Sequence, residues 1–255
     1  MNGKRVTLNI LAPLAGLAVF VAIWYAASAA IGIEIVLPSP TDTFRGFFSL
    51  LGQGSFYLAI GHTLGRSLLA FLVAFSLAVL FAILGRLSLF FRKAFRPIAV
   101  ILRVLPTISV ILLVLIWFRS AVAPYVITFL VLFPMLYTTV SDATDTVDKG
   151  LLEMTKAYRF SRTKTIFSFY VPQMIPSILK GVAITLSFAV KLTIAAEVLA
   201  YTGESMGRFM QQSSAYMETS MLLAWTLAAI LLGFLLEGLV LCVRRIVMRR
   251  YYGVR

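Results

Sequence analysis

Six apolar stretches divide this chain, and each is long enough to cross a bilayer. They run approximately over 10–31, 63–85, 97–118, 121–141, 177–200 and 221–243. A helix needs about 20 predominantly apolar residues to cross a hydrocarbon core of ~30 Å. In hydrocarbon the backbone N–H and C=O groups must be bonded within the protein, so stretches of this length fold as helices. The expected fold is all-α: a single membrane domain, residues 1–255, with six transmembrane helices and no sizeable soluble domain. The 60% share of hydrophobic residues agrees, because soluble domains sit at roughly 45–50% apolar.

Charge orients the bundle. The net charge of +13 is expected to reflect the excess of Lys and Arg in cytoplasmic segments rather than nucleic-acid binding. With the N-terminus inside, the inner segments carry Lys4, Arg5, Arg86, Arg92, Lys93, Arg96, Lys149, Lys156, Arg159, Arg162, Lys164, Lys180 and the arginines from Arg244 to Arg255. The outer segments carry only Arg45, Arg119 and Arg208, with Arg66 near the outer end of its span. Both termini are therefore expected in the cytoplasm. Ala27-Ser28-Ala29 resembles a signal-peptidase site, but the preceding apolar run exceeds the usual stretch of roughly 7–15 residues, so the first span is expected to be retained. A single Cys242 and a single His62 leave no intrachain disulfide and no histidine pair for a metal.

Prolines punctuate the pattern. Pro106, Pro124 and Pro134 fall in the third and fourth spans and are expected to kink them. Pro38 and Pro40 end the first helix, after which Thr41 or Asp42 can cap a short surface helix over 41–51. Phe44, Phe47, Phe48 and Leu51 would share its packing face. The methionines Met206, Met210, Met217 and Met221 are expected to fill packing space.

The segment between the fourth and fifth spans, about 142–176, is long, polar and basic, whereas most connections within compact bundles are short. Asp148 can cap a helix starting at Lys149, with Leu151, Leu152, Thr155 and Tyr158 on one face. Ser161 can cap a second helix running to Val171, and Pro172 and Pro176 are expected to redirect the chain into the fifth span. A short helix joined rigidly to two spans moves as a body and can transmit motion.

Glu153, followed at fixed distances by Pro172, Pro176 and Gly181, resembles the EAA loop in the membrane subunits of binding-protein-dependent ABC importers. The resemblance extends through Leu37-Pro38-Ser39-Pro40, His62 to Leu68, Leu105-Pro106-Thr107, Ala195-Ala196-Glu197 and Gly203 to Gly207, and is similar to the nitrate/sulfonate/taurine subgroup. It implies a type I ABC importer permease fold whose cytoplasmic coupling helix, here Glu153, Met154, Thr155, Lys156, Ala157, Tyr158, Arg159, Phe160 and Ser161, sits in a groove of the ATPase. It further implies a second permease copy in a homodimer, two ATPase subunits that bind ATP and Mg, and an extracytoplasmic substrate-binding protein, all at a bacterial inner membrane. No phosphate-binding G-x-x-x-x-G-K-[ST] sequence is present, so this chain is expected to be a transport subunit rather than an enzyme and to hold no cofactor of its own. The family's Ala-Ala after the glutamate is Met154-Thr155 here, and its usual glycine is Arg159. Arginine resists the left-handed turn that glycine allows. Either helix continues through this position or the loop meets its partner differently.

Ionisable groups within spans need partners or water. By depth, Arg103 is expected to pair with Glu237, and Arg66 with Glu197 near His62. Lys191 lies a little past mid-depth in the fifth span with no acid at its height. It either snorkels outward or lines a path for a small polar or anionic solute. Thr185 and Ser187 on the same helix either line that path or bond back to their own helix. The competing function is a secondary transporter driven by an ion gradient, which would need internal repeats and a broken-helix ion site. A membrane enzyme would need convergent acid, base or nucleophilic groups, and the spans offer none.

Overall fold

The structure, a computed structural model, describes residues 3–252, with side chains placed over 11–148 and 150–249. The side chains of Lys4, Arg5, Lys149, Arg250 and Arg255 lie outside the described residues. In chain order the helices are α1 (Gly3–Ile31), α2 (Pro40–Leu51), α3 (Gly54–Leu87), α4 (Leu89–Val104), α5 (Thr107–Trp117), α6 (Ala123–Asp145), α7 (Lys149–Ala157) and α8 (Arg162–Thr165). A π-turn, Ile166–Tyr170, leads into α9 (Val171–Ala200), followed by α10 (Met206–Ala215) and α11 (Thr219–Tyr252). Among the described residues five helical stretches are long and apolar enough to cross a membrane, and α4 with α5 makes a sixth if that bent pair is one span.

That pair corrects the expected span over 97–118. Instead of one kinked helix there are two, meeting at 94°. Pro106 forces the residue before it out of helical geometry, and Leu105 accordingly sits at ψ 130°. Pro124 is likewise no kink. It lies in the first turn of α6, where its missing N–H costs nothing, while Pro134 is taken into the buried interior of that helix.

The core is built where α3, α6, α9 and α11 meet. Along α3, Ala70, Ala74, Ala78 and Ala82 form a stripe of small buried residues, which lets neighbouring helices approach closely. Leu132 and Leu136 of α6 and Ala189 and Val190 of α9 fill the space opposite. The approach of α9 to α6 is close enough that a Cβ on Gly181 would collide with the Thr139 side chain. By contrast α1 buries none of its span in the bundle. It is tied to the following loop by Trp24 Nε1–H donating to Pro38 O (3.1 Å) and Ser28 Oγ–H to Leu37 O (3.0 Å).

The surface helix α2 is capped by Ser39, not by Thr41 or Asp42. Its packing face also differs from the expected one. Thr43 and Leu50 are buried and Phe47 packs half-buried against the core, whereas Phe44, Phe48 and Leu51 stay open. The reason is close contact with α11: Gly46 brings the backbone of α2 against Met221 and Ala224, which turns Thr43, Phe47 and Leu50 inward and leaves Phe44 and Phe48 outward.

The chain is not redirected at Pro172 and Pro176. A helical body continues from Arg162 to Ala200. Pro172 occupies the first turn of α9, and the widened π-turn before it lets the Val171 N–H reach Ile166 O. A π-turn of this kind takes up a local break in the helical ladder.

Candidate functional site

The loop after α6 is clamped at both ends. Asp148 starts α7, its Oδ1 accepting the Gly150 N–H at 2.7 Å. The Asp148 N–H donates to Gln173 Oε1 at 2.9 Å, and Gln173 Nε2–H donates to Phe169 O at 2.9 Å. One side chain thus joins the first residue of the α7 turn to the start of α9. Beneath α7, Leu152 packs with Ala143, Val147, Met174 and Tyr170. Thr155 is 2% exposed, and its hydroxyl donates to Leu152 O at 2.8 Å.

At its far end α7 closes with a left-handed residue. Arg159 has φ +50°. Its N–H donates to Lys156 O and the Phe160 N–H to Thr155 O, both at 3.0 Å, the paired bonds of a Schellman motif. The turn that a glycine would favour is therefore kept, and helix does not run through Arg159. Phe160 then stacks on Tyr158 (6.3 Å) and Phe169 (5.4 Å), with Lys164 Nζ 4.6 Å from its ring centre.

This clamping leaves Glu153, Met154, Lys156, Ala157, Tyr158, Arg159 and Ser161 facing outward, with Phe160 half-buried. Tyr158 is 71% exposed, so it does not share the inward face of Leu151, Leu152 and Thr155. It is the C-cap, where the chain leaves helical geometry and helical spacing no longer places the side chain. Nearby, Ile166 and Phe167 are also exposed. The result is a firmly seated helix presenting a mixed apolar and basic surface.

At the opposite end of the bundle Glu197 is fully buried. Arg66 Nη1 lies 2.7 Å from its Oε1. Its Oε2 accepts the Thr63 hydroxyl at 2.9 Å and the Gly207 N–H at 3.2 Å. Thr63 Oγ1 in turn accepts the Met206 N–H at 3.1 Å, and His62 Nδ1 lies 2.9 Å from Glu204 O. The carboxylate thus ties α3, α9 and the start of α10 together. Only glycine fits at 207: an added Cβ would press on Glu197 and on the Ile194 carbonyl.

The other expected charge pair does not form. Arg103 is on α4, which packs against α3 and α6, whereas Glu237 is on α11, which packs against α9, α2 and α10. Equal depth did not put them on the same side of the bundle. The three candidate pathway residues also separate. Lys191 is exposed, in line with Lys180, Ile184 and Ala195 along the face of α9 that the bundle leaves open. Thr185 and Ser187 are buried on other faces. The Thr185 hydroxyl donates back to Gly181 O at 2.5 Å, and that of Ser187 to Gly233 O on α11 at 3.1 Å.

Sequence patterns do not mark Gln173 or the role of Thr63, since an isolated glutamine or threonine carries no periodic signal. The pairing of Arg92 with Asp145 at 2.6 Å was equally hidden, because it depends on how α4 turns against α6.

A family model described as "Binding-protein-dependent transport system inner membrane component" matches residues 74–251. Across 92% of its length the chain is 26% identical to the taurine transport system permease protein TauC of Escherichia coli (strain K12), covering 86% of that protein. It is 24% identical to the putative aliphatic sulfonates transport permease protein SsuC of the same organism, over 85% of this chain and 83% of that one. Among solved structures, a bacterial ABC transporter involved in the import of the acidic polysaccharide alginate shares the fold, with a TM-score of 0.63 at 18% identity over 97% of this chain and 99% of that chain. The inward-facing MetNI methionine ABC transporter also shares it, with a TM-score of 0.63 at 18% identity over 75% of this chain and 95% of that chain.

Proposed function

Because this chain belongs to the family of binding-protein-dependent transport system inner membrane components, and so is a permease subunit of an ABC importer, we propose that residues 153–161 couple it to a separate ATPase. The observation that carries this reading is the mounting of α7. Its inner side is seated by Leu152 and Thr155, and Gln173 ties its first turn to α9. Its outer side offers the exposed Met154 and Tyr158 to a partner. Force applied to that outer side reaches α6 and α9 without passing through a flexible joint.

In this reading the basic end of the bundle, with α7 and both termini, faces the cytoplasm, following the positive-inside rule. The partner ATPase binds ATP and Mg. Two copies of this chain enclose the path, and a substrate-binding protein delivers solute at the end held by Glu197. The solute is a small polar or anionic molecule, in keeping with relatives named for taurine and aliphatic sulfonates, and Lys191 on the open face of α9 supplies a cationic point along its way. The test replaces Met154 and Tyr158 with Asp. The expected result is loss of uptake and of solute-stimulated ATP hydrolysis in a complex that still inserts. Unaltered uptake by that variant would refute the coupling role.

A further inference from the structure

A polar cavity lies between α4 and α6, lined by neither α7 nor the Glu197 cluster. Arg92, Arg96 and Arg103 recur at helical spacing along one side of α4, and Ser141, Asp142 and Asp145 along one side of α6. These six line a cavity of about 320 Å³. Its charges are unequally matched. Arg92 Nη2 is bonded to Asp145 Oδ2 at 2.6 Å. Among the described residues Arg96 and Arg103 meet no acidic side chain, and Asp142 meets no basic one. The lining therefore keeps one formal positive charge and two uncommitted guanidinium groups.

Arginine does not lose its proton in proteins. Arg96 and Arg103 are exposed along the cavity, so their charges are open to an incoming ion. The planar guanidinium fork matches an oxyanion with two parallel N–H···O bonds. The Ser141 hydroxyl supplies a further donor, since it is committed to no protein acceptor among the described residues.

We propose that the cavity between α4 and α6 is an oxyanion-binding site, with Arg96 and Arg103 as its ligands and Arg92 held to the wall by Asp145. Arg103 also lines an adjoining cavity of about 410 Å³ that reaches Phe188 of α9, one turn from Lys191. The oxyanion is either a soluble anion moving along the bundle or the phosphate of a phospholipid headgroup, and the two differ in what must be added to fill the site.

The test uses the full-length chain in phosphatidylcholine nanodiscs, with sodium sulfate added at constant ionic strength against sodium chloride. A soluble-anion site gives a saturable rise in the unfolding midpoint with sulfate. The rise disappears in the Arg96→Gln/Arg103→Gln variant and persists in Lys93→Gln, which alters the same helix outside the cavity. A lipid site gives no sulfate response; in a second set of nanodiscs containing phosphatidylglycerol the chain retains that lipid through delipidation, seen by native mass spectrometry, and the double variant loses it. Either pattern supports the site. Asp142→Asn guards against a double variant that fails to fold: removing the unpaired acid lowers the half-saturating concentration of whichever anion binds severalfold. Absence of any arginine-dependent response to either probe, or an Asp142→Asn variant with unchanged binding, overturns the proposal. Neither arm contains ATP or an ATPase, so a negative result leaves the coupling reading standing.

Discussion

Arg66 and Glu197 meet at 2.7 Å across the α3–α9 contact, and the carboxylate they share with Thr63 and Gly207 has no access to solvent. Losing one partner of a buried pair leaves an uncompensated charge, which costs about 3–5 kcal/mol. Glu197→Ala and Arg66→Met are each expected to destabilise the protein by that order. The double variant is expected to lose less than the sum, because the orphaned charge is gone. A double-mutant cycle on unfolding in detergent measures this, and strict additivity would rule out the coupling.

Gly207 faces that carboxylate with no room for a methyl group, whereas nothing lies within 4 Å of a Cβ built at Gly203. Gly207→Ala is expected to cost about 1–3 kcal/mol through overpacking. Gly203→Ala, in the loop just before α10, is expected to cost under about 1 kcal/mol. Comparing their melting curves separates a packing requirement from a general intolerance of the loop.

Arg159 holds a left-handed conformation that costs an L-residue roughly 1–2 kcal/mol and glycine almost nothing. Arg159→Gly is expected to strengthen the end of α7 by about 1 kcal/mol. Arg159→Val, with a branched Cβ at positive φ, is expected to weaken it. Hydrogen exchange at the Phe160 amide, which donates to Thr155 O, reports both changes directly.

Gln173 is the only polar side chain among the described residues that bonds the start of α7 to the first turns of α9. Removing it forfeits hydrogen bonds with a net worth of about 1 kcal/mol each, a small loss for a bundle of this size. Gln173→Ala is therefore expected to insert and assemble normally while transporting fewer solute molecules per ATP hydrolysed. An unchanged ratio of uptake to hydrolysis would show that the bridge does not carry motion.

Lys191 stands on the open face of α9, while Thr185 and Ser187 are turned into the bundle. Lys191→Gln is expected to lower uptake and solute-stimulated hydrolysis without lowering the melting temperature. Thr185→Val is expected to leave uptake intact, since its hydroxyl only returns to Gly181 O. Uptake by Lys191→Gln equal to that of the parent protein would remove this lysine from the pathway.

The number of apolar stretches, the Asp148 and Ser161 caps and the presence of a structured loop are legible in local spacing, because capping and span length depend on neighbours in sequence. The break at Leu105–Pro106 is legible as a disturbance but not as a 94° turn, since a proline limits the backbone without fixing the direction that follows. Depth along a span, computed from helical rise, places Arg66 level with Glu197 and Arg103 level with Glu237 alike. Which pair meets depends on the rotation of each helix about its axis and on its neighbours, and both are decided by packing. The same holds for α2, whose exposed Phe44 and Phe48 follow from the contact of its own Gly46 with α11.

The helical body from Arg162 to Ala200 has a further consequence. Its 39 residues, at 1.5 Å each, measure about 58 Å, nearly twice the ~30 Å thickness of the hydrocarbon. A tilt of about 5° around its middle would swing each tip by about 2.5 Å in opposite directions. The residues beside the α7 surface and those around Glu197 are thus the two arms of one seesaw, and a modest shove on one side of the membrane would register on the other within a single stroke.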